Sequence, residues 1–334
     1  MNFFRILSEI EKTDPEVFER FDSRRRVFAN MTGFGKKMTA AALPLAMGAI
    51  FNKAYGQASG SAPGVVDVLR FALRLEYLEA YFYNLGLQGN GTAGTPMTPA
   101  QTTFRALFSP TNLASLVKIQ NDENNHVTLL RGALGTNVFA APAVTEFDYT
   151  GGKGSSMGPF MGVFTSPALF LAVAQSLEDT GVRAYKGGAP YVASDKSVLT
   201  TALNIHSVEA RHAARLRTMR RGGFGNNAAS ASAITGADRG ASPKSWVSGL
   251  DNGGAGGPLT APIYNGGPAP AYTPAGITFP AEDNVTQGGV NLQTALASLM
   301  IPAAAFSEAF DEPLDVPTVS AIARTFIITG STFI

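Results

Sequence analysis

Four segments of helical periodicity carry, in chain order, Glu76, then Glu123 and His126, then Glu178, then Glu209 and His212. The pattern reads Glu, Glu-x-x-His, Glu, Glu-x-x-His. Residues three apart share one face of a helix, so each Glu-x-x-His presents a carboxylate and an imidazole to the same point. Four carboxylates turned into one core are insupportable unless cations neutralise them. Two divalent ions would carry the matching charge. The set therefore predicts an all-α core, a four-helix bundle built around a two-metal carboxylate site. Of the three histidines in the chain, two fall in these units.

The helix boundaries can be read from caps and breakers. The first helix runs from about Pro63 to Leu87, with Gly86 and Gly89 near its end. A Gly/Thr/Pro loop follows over residues 88–99. The second helix begins at Ser109-Pro110 and ends at Gly135, the third runs from Ser166-Pro167 to Gly187-Gly188, and the fourth from Ser194 to Gly222-Gly223. Between the second and third helices lies a connection of roughly thirty residues, 136–165, rich in Gly, Pro and Ala. A connection this long can cross the length of a bundle and start the third helix at the same end as the second; an up-down-up-down bundle has no need of one. The chain also repeats itself. Glu76 is followed seven residues later by Tyr83, and Glu178 seven residues later by Tyr185. Each of these helices is succeeded by one bearing Glu-x-x-His, which predicts a pseudo-two-fold site. Tyr83 is the candidate redox or hydrogen-bonding group beside the metals.

Oxygen and imidazole donors suit iron or manganese, with zinc also accommodated. The chain contains no cysteine, which excludes disulfides, thiolate metal sites and cysteine catalysis. Glu79, one turn from Glu76, is the alternative ligand on the first helix; Glu76 is preferred because its spacing to tyrosine matches that of the third helix. Asp122 and Asp179 lie about 100° around the helix from the neighbouring ligand Glu, which favours a surface or supporting place. His206 reads as an ordinary helix residue rather than a seventh ligand, and Arg211 and Arg215 as surface residues.

The flanks differ from this core. Residues 1–58 read as an export segment: Ser23-Arg24-Arg25-Arg26-Val27-Phe28 has the form of a twin-arginine signal, Lys36 and Lys37 follow, and an apolar run from Met38 to Phe51 is too short to anchor in a bilayer. The alternative is an N-terminal amphipathic helix that stays with the protein. Residues 59–222 form the bundle. Residues 223–334 form an extension that is Gly-rich and loop-rich at first, with helical spacing over 290–310 interrupted by Pro302 and a short apolar tail at 317–329. Charged residues make up 15% of the chain, against roughly 25% in an average soluble protein. That leaves Ser, Thr, Asn, Gln and Gly to cover the surface and suits an exported, periplasmic or cell-envelope protein. A net charge of +1 gives no electrostatic case for nucleic acid, and no segment predicts an integral membrane span.

The stretch Phe71-Ala72-Leu73-Arg74-Leu75-Glu76-Tyr77-Leu78-Glu79-Ala80-Tyr81-Phe82-Tyr83, with the two Glu-x-x-His units, resembles the ferritin-like domain family that includes desiccation-related proteins. The order of ligands is also similar to that of bacterioferritins, rubrerythrins and manganese catalases. The resemblance covers about residues 63–222. It implies a ferritin-like bundle with one long crossover. It further implies two divalent metal ions, iron favoured and manganese the alternative. Glu123 and Glu209 would bridge them, Glu76 and Glu178 would be terminal ligands, and His126 and His212 would each bind one metal. Oxygen or peroxide would be the partner molecule, and self-association into a dimer or larger assembly would be compatible. The implied activity is ferroxidase-like, peroxidase-like or catalase-like, with a structural, stress-protective envelope role as the alternative. The long Gly-rich C-terminal region departs from what a 24-subunit storage shell needs.

Overall fold

The computed structural model describes residues 63–88, 95–220, 245–250, 261–268 and 278–334. Five helices form the body: α1 (Val65–Leu87), α2 (Pro99–Arg105), α3 (Pro110–Leu134), α4 (Pro167–Gly188) and α5 (Lys196–Arg220). The expected export segment, residues 1–58, lies outside the described residues, as does much of the Gly-rich stretch after Gly222.

Local chemistry sets each boundary. Ser109 and Ser166 cap α3 and α4, accepting from the backbone N–H of Asn112 and Leu169 ahead of a proline in the first turn. The cap of α5 is Asp195 rather than Ser194: its Oδ1 accepts from Ser197 and Val198 N–H, each at 3.0 Å. Helix α2 adds to the four expected helices. Thr98 and Gln101 close a capping box around Pro99, so the Thr-Pro-Ala-Gln run is the signal for it.

Helix α1 packs chiefly on α3, and α4 on α5. Their directions follow from side-chain pairs. Tyr83 of α1 meets Glu178 of α4 while Tyr185 meets Glu76, so α1 and α4 are antiparallel. Helix α1 also runs against α3, because Asn84 meets Gln120 while Glu76 meets His126. Helices α3 and α4 are therefore parallel, which the long connection between them makes feasible. The bundle has one crossover and is ferritin-like in topology.

That crossover is part of the core. Phe147, Tyr149, Phe160 and Val163 join the buried cluster, and Tyr149 donates to the Leu78 carbonyl at 2.6 Å. Phe82 of α1 stacks on Phe170 of α4 with ring centroids 4.7 Å apart.

The C-terminal region supplies α6 (Ala261–Tyr264), a two-residue hairpin pairing Thr286–Gln287 with Val290–Asn291, and α7 (Leu292–Ala295), α8 (Ala304–Glu308) and α9 (Val316–Ala323). The helix expected over 290–310 stops at Ala295, passes through a 3-10 turn at Ala297–Leu299 and a left-handed Met300 (φ 50°), and restarts as α8 after Pro302. The apolar tail is helical in α9 and then extended, with Ile327 bridging Phe147 of the crossover.

The extension is tied to the bundle at one buried arginine. Arg183 of α4, among the largest fully buried side chains, donates to the carbonyls of Glu312, Ile263, Asn265, Pro280 and Pro313. It pairs with Glu282 at 2.8 Å. Gly187 allows the Leu314 carbonyl to approach α4 closely, where any Cβ would collide with it. Among the described residues, no helix is long and apolar enough to cross a membrane.

Candidate metal centre

The bundle brings all six predicted ligands together. Glu76 comes from the middle of α1, Glu123 and His126 from α3, Glu178 from α4, and Glu209 and His212 from α5. The four carboxylates are wholly buried, and His126 and His212 are 7% and 5% exposed. Two groups of four could each hold an ion: Glu76, Glu123, His126 and Glu209, and Glu123, Glu178, Glu209 and His212. Within each group the ligand atoms lie within 4.8 Å of one another. Glu123 and Glu209 belong to both groups.

The arrangement is two-fold in detail. Glu76 turns Oε2 to His126 Nδ1 at 3.1 Å and takes a hydrogen bond from Tyr185 on Oε1. Glu178 turns Oε2 to His212 Nδ1 at 3.1 Å and takes one from Tyr83 on Oε1 at 2.5 Å. Glu123 divides between the halves, with Oε2 3.1 Å from His126 Nδ1 and Oε1 2.8 Å from His212 Nδ1. The two imidazoles are near-parallel, with centroids 6.3 Å apart.

Burial and charge make this a cluster that could hold cations. Both oxygens of Glu209 and Oε1 of Glu123 are buried without a hydrogen bond. A histidine nitrogen stands 3.2 Å from Glu209 Oε1 and 2.8 Å from Glu123 Oε1, but the angles are poor, so proximity there is not a bond. Buried anionic oxygens without donors need cations. The titration shifts express the same need. Burial pushes Glu76 up to about 7. It also pushes Glu209 well above the carboxylate range, helped by the charges of Glu123 and Glu178. Glu123 is buried too, but a hydrogen bond with His126 and the charge of the His212 imidazole outweigh that and hold it down at about 2. Burial opposes charge on His212, yet Glu178 and Glu123 raise it to about 12, and the same contest raises His126. These directions favour protons on Glu76, Glu209 and both imidazoles. The donor set, oxygen and imidazole around orphaned carboxylate oxygens, fits two divalent ions of the iron or manganese type.

Several neighbours complete the picture. Tyr83 donates to Glu178. Tyr185 holds the equivalent place against Glu76, and the seven-residue spacing that singles out Tyr83 singles it out equally. Glu79 is buried beside the cluster but belongs to neither four-residue group. Its Oε1 and Glu209 Oε2 crowd the α carbon of Gly181, where an added Cβ would sit 3.2 and 3.3 Å from them. Asp122 stands 3.2 Å from His212 Nε2 and also pairs with exposed Lys118, so it orients the imidazole from outside. Asp179 makes a buried two-pronged bridge to Arg217 at 2.7 and 2.6 Å and accepts from Tyr264. Periodicity gave no sign of that network or of Arg183. His206 lies outside both groups, and burial lowers its pKa. Arg215 bonds Ser115 and Asn112 of α3.

Residues 64–221 match the model of the ferritin-like domain family. With the four-helix topology and the buried carboxylate–histidine cluster, this stretch is a ferritin-like domain that could hold metal ions. Comparison with curated proteins and with solved structures yields no match.

Proposed function

We propose that the protein is an exported oxidoreductase holding two divalent metal ions, iron favoured over manganese. Glu76 and His126 would hold one ion and Glu178 and His212 the other, with Glu123 and Glu209 spanning both. The observation that carries this reading is the division of Glu123, one oxygen toward each histidine, in a cluster where both shared carboxylates have oxygens lacking a donor. When bound, such ions supply one-electron chemistry toward oxygen or peroxide. The chain's own residues prepare the place. Tyr83 and Tyr185 fix one oxygen of each terminal carboxylate and leave the other facing its histidine. Asp122 fixes the ring of His212. Leu73, Leu116, Leu130 and Leu216, buried on the helices, exclude water from the core. The twin-arginine form of residues 23–28 supports export.

Metal analysis after anaerobic loading with ferrous iron tests the reading. Two ions per chain are expected, with consumption of oxygen or peroxide that is lost in Glu123→Ala/Glu209→Ala. Fewer than one ion per chain would defeat it. Loading with manganese separates peroxide disproportionation from ferrous oxidation: vigorous catalase activity with manganese alone assigns the former.

The low share of charged residues, the Gly-rich stretch and the apolar C-terminus support a second reading, a stress-protective envelope protein that uses the bundle as a scaffold. In that case the double alanine variant would lose metal and keep its protective role.

A further inference from the structure

A cleft of about 450 Å³ lies beside the carboxylate–histidine cluster, and none of the six cluster residues lines it. It lies where α1 begins, α3 and α4 end, and α9 crosses the bundle. Its walls are mostly apolar: Leu69, Leu75, Leu130, Val192 and Val319 contribute, and Tyr185 forms part of its inner face. Two arginines interrupt this lining. Arg70 and Arg74 are one turn apart on α1, so their like charges share one side of the cleft. Arg74 spends its Nε on the Phe333 carbonyl and lies 4.7 Å over the Phe139 ring. The Nε of Arg70 is buried and makes no hydrogen bond. The two lining carboxylates are engaged elsewhere. Asp67 accepts from Gly64 N–H, and Asp315 caps α9 by accepting from Thr318 with both oxygens. Among the described residues neither forms an ion pair with either arginine.

A cleft of this size and lining is in the range of small-molecule sites, which combine apolar walls with few polar groups that fix orientation. A neutral apolar ligand would leave the two guanidiniums uncompensated. A metal ion or a polar sugar would find the wrong walls. We infer that the cleft binds a long-chain monocarboxylate, a free fatty acid, with its alkyl chain against Leu69, Leu75, Leu130 and Val319 and its head group at Arg70 and Arg74. The cleft meets the six-residue cluster only at Tyr185, which stands between them and donates to Glu76.

Calorimetric titration of the full-length protein with dodecanoate below its micellar concentration tests this. One saturable site per chain is expected. Decanoate should bind roughly fifteenfold more weakly, from about fourfold per methylene removed from water. Arg70→Gln should weaken dodecanoate about tenfold, as expected when a charged hydrogen-bond partner is lost. Ala202→Phe, which fills the cleft, should abolish binding while leaving the helical circular dichroism unchanged. Dodecanol bound as tightly as dodecanoate would overturn the head-group assignment. Absence of saturable binding in the unsubstituted protein, or affinity that does not depend on chain length, would overturn the proposal without reference to any variant.

Discussion

The Tyr83 hydroxyl on α1 donates a 2.5 Å hydrogen bond to Glu178 Oε1 on α4. Its counterpart runs the other way, from Tyr185 on α4 to Glu76 on α1. Each tyrosine thus holds a cluster carboxylate on the opposite helix, not on its own. This crossing makes each half of the site depend on both helix pairs. Tyr83→Phe and Tyr185→Phe should each weaken metal binding by roughly 10- to 100-fold, the usual cost of removing a group that orients a ligand. The two substitutions should act on different ions. Competitive titration that resolves two binding steps checks this, and two variants weakening the same step would contradict the two-fold assignment.

Asp122 breaks the symmetry. It approaches Nε2 of His212, while the matching residue on α5, Val208, has no carboxylate to offer His126. Asp122→Asn should therefore lower affinity about tenfold at the His212 half and leave the His126 half unchanged. Equal loss at both halves would show that Asp122 acts on the whole cluster and not on one ring.

What the sequence made legible were periodic and paired features. The two Glu-x-x-His units and the seven-residue Glu-to-Tyr spacing repeat, so they stood out, and they correspond to the six residues the bundle gathers. The crossover followed from the length of 136–165. The clamp at Arg183 was not legible, because apart from Glu282 its partners are backbone carbonyls from residues 263–313, and a carbonyl has no residue type to read. Asp122 was legible only as a carboxylate on a neighbouring face. Whether it met His212 depended on how α3 and α5 pack, which no local pattern encodes.

The clamp predicts how the extension comes loose. Arg183→Met would leave Glu282 buried without its partner and five carbonyls without their donor. Breaking a buried pair from one side costs about 3–5 kcal/mol. Chemical unfolding should register a loss of this size, and limited proteolysis should cut beyond residue 260 far faster than within α1 to α5. A loss under about 1 kcal/mol would mean the extension is held mainly by the apolar contacts of α9.

Gly181 tests how tightly the carboxylates are packed. A methyl group there meets Glu79 Oε1 and Glu209 Oε2 at 3.2 and 3.3 Å, so one of them must move. The fold should survive, since alanine suits a helix better than glycine by roughly 1 kcal/mol. Gly181→Ala should then raise thermal stability in the metal-free form and weaken metal binding. Stability and affinity rising together would place the shared carboxylates elsewhere.

Protons and metal compete for the same buried charges, and this fixes the sign of the pH dependence. Glu76 titrates near 7 when folded against an ordinary 4.5, so between those values the unfolded chain has released a proton the folded chain retains. Stability of the metal-free protein therefore falls as pH rises through that window. Glu209, also raised, adds to the fall. His212 behaves alike further up: its contribution is intact below 6.5 and declines as pH climbs toward about 12. Glu123, held at about 2, contributes oppositely, and its share disappears only as pH falls below 4.5. The metal-free chain should accordingly melt at a lower temperature at about pH 8 than at about pH 5.5. Manganese, which can be added in air, should raise the melting temperature more at the higher pH, because there it displaces fewer protons. Binding at neutral pH should release protons measurable by calorimetry in buffers of different ionisation enthalpy. An equal increment at both pH values, with no proton release, would place the bound metal away from these six residues.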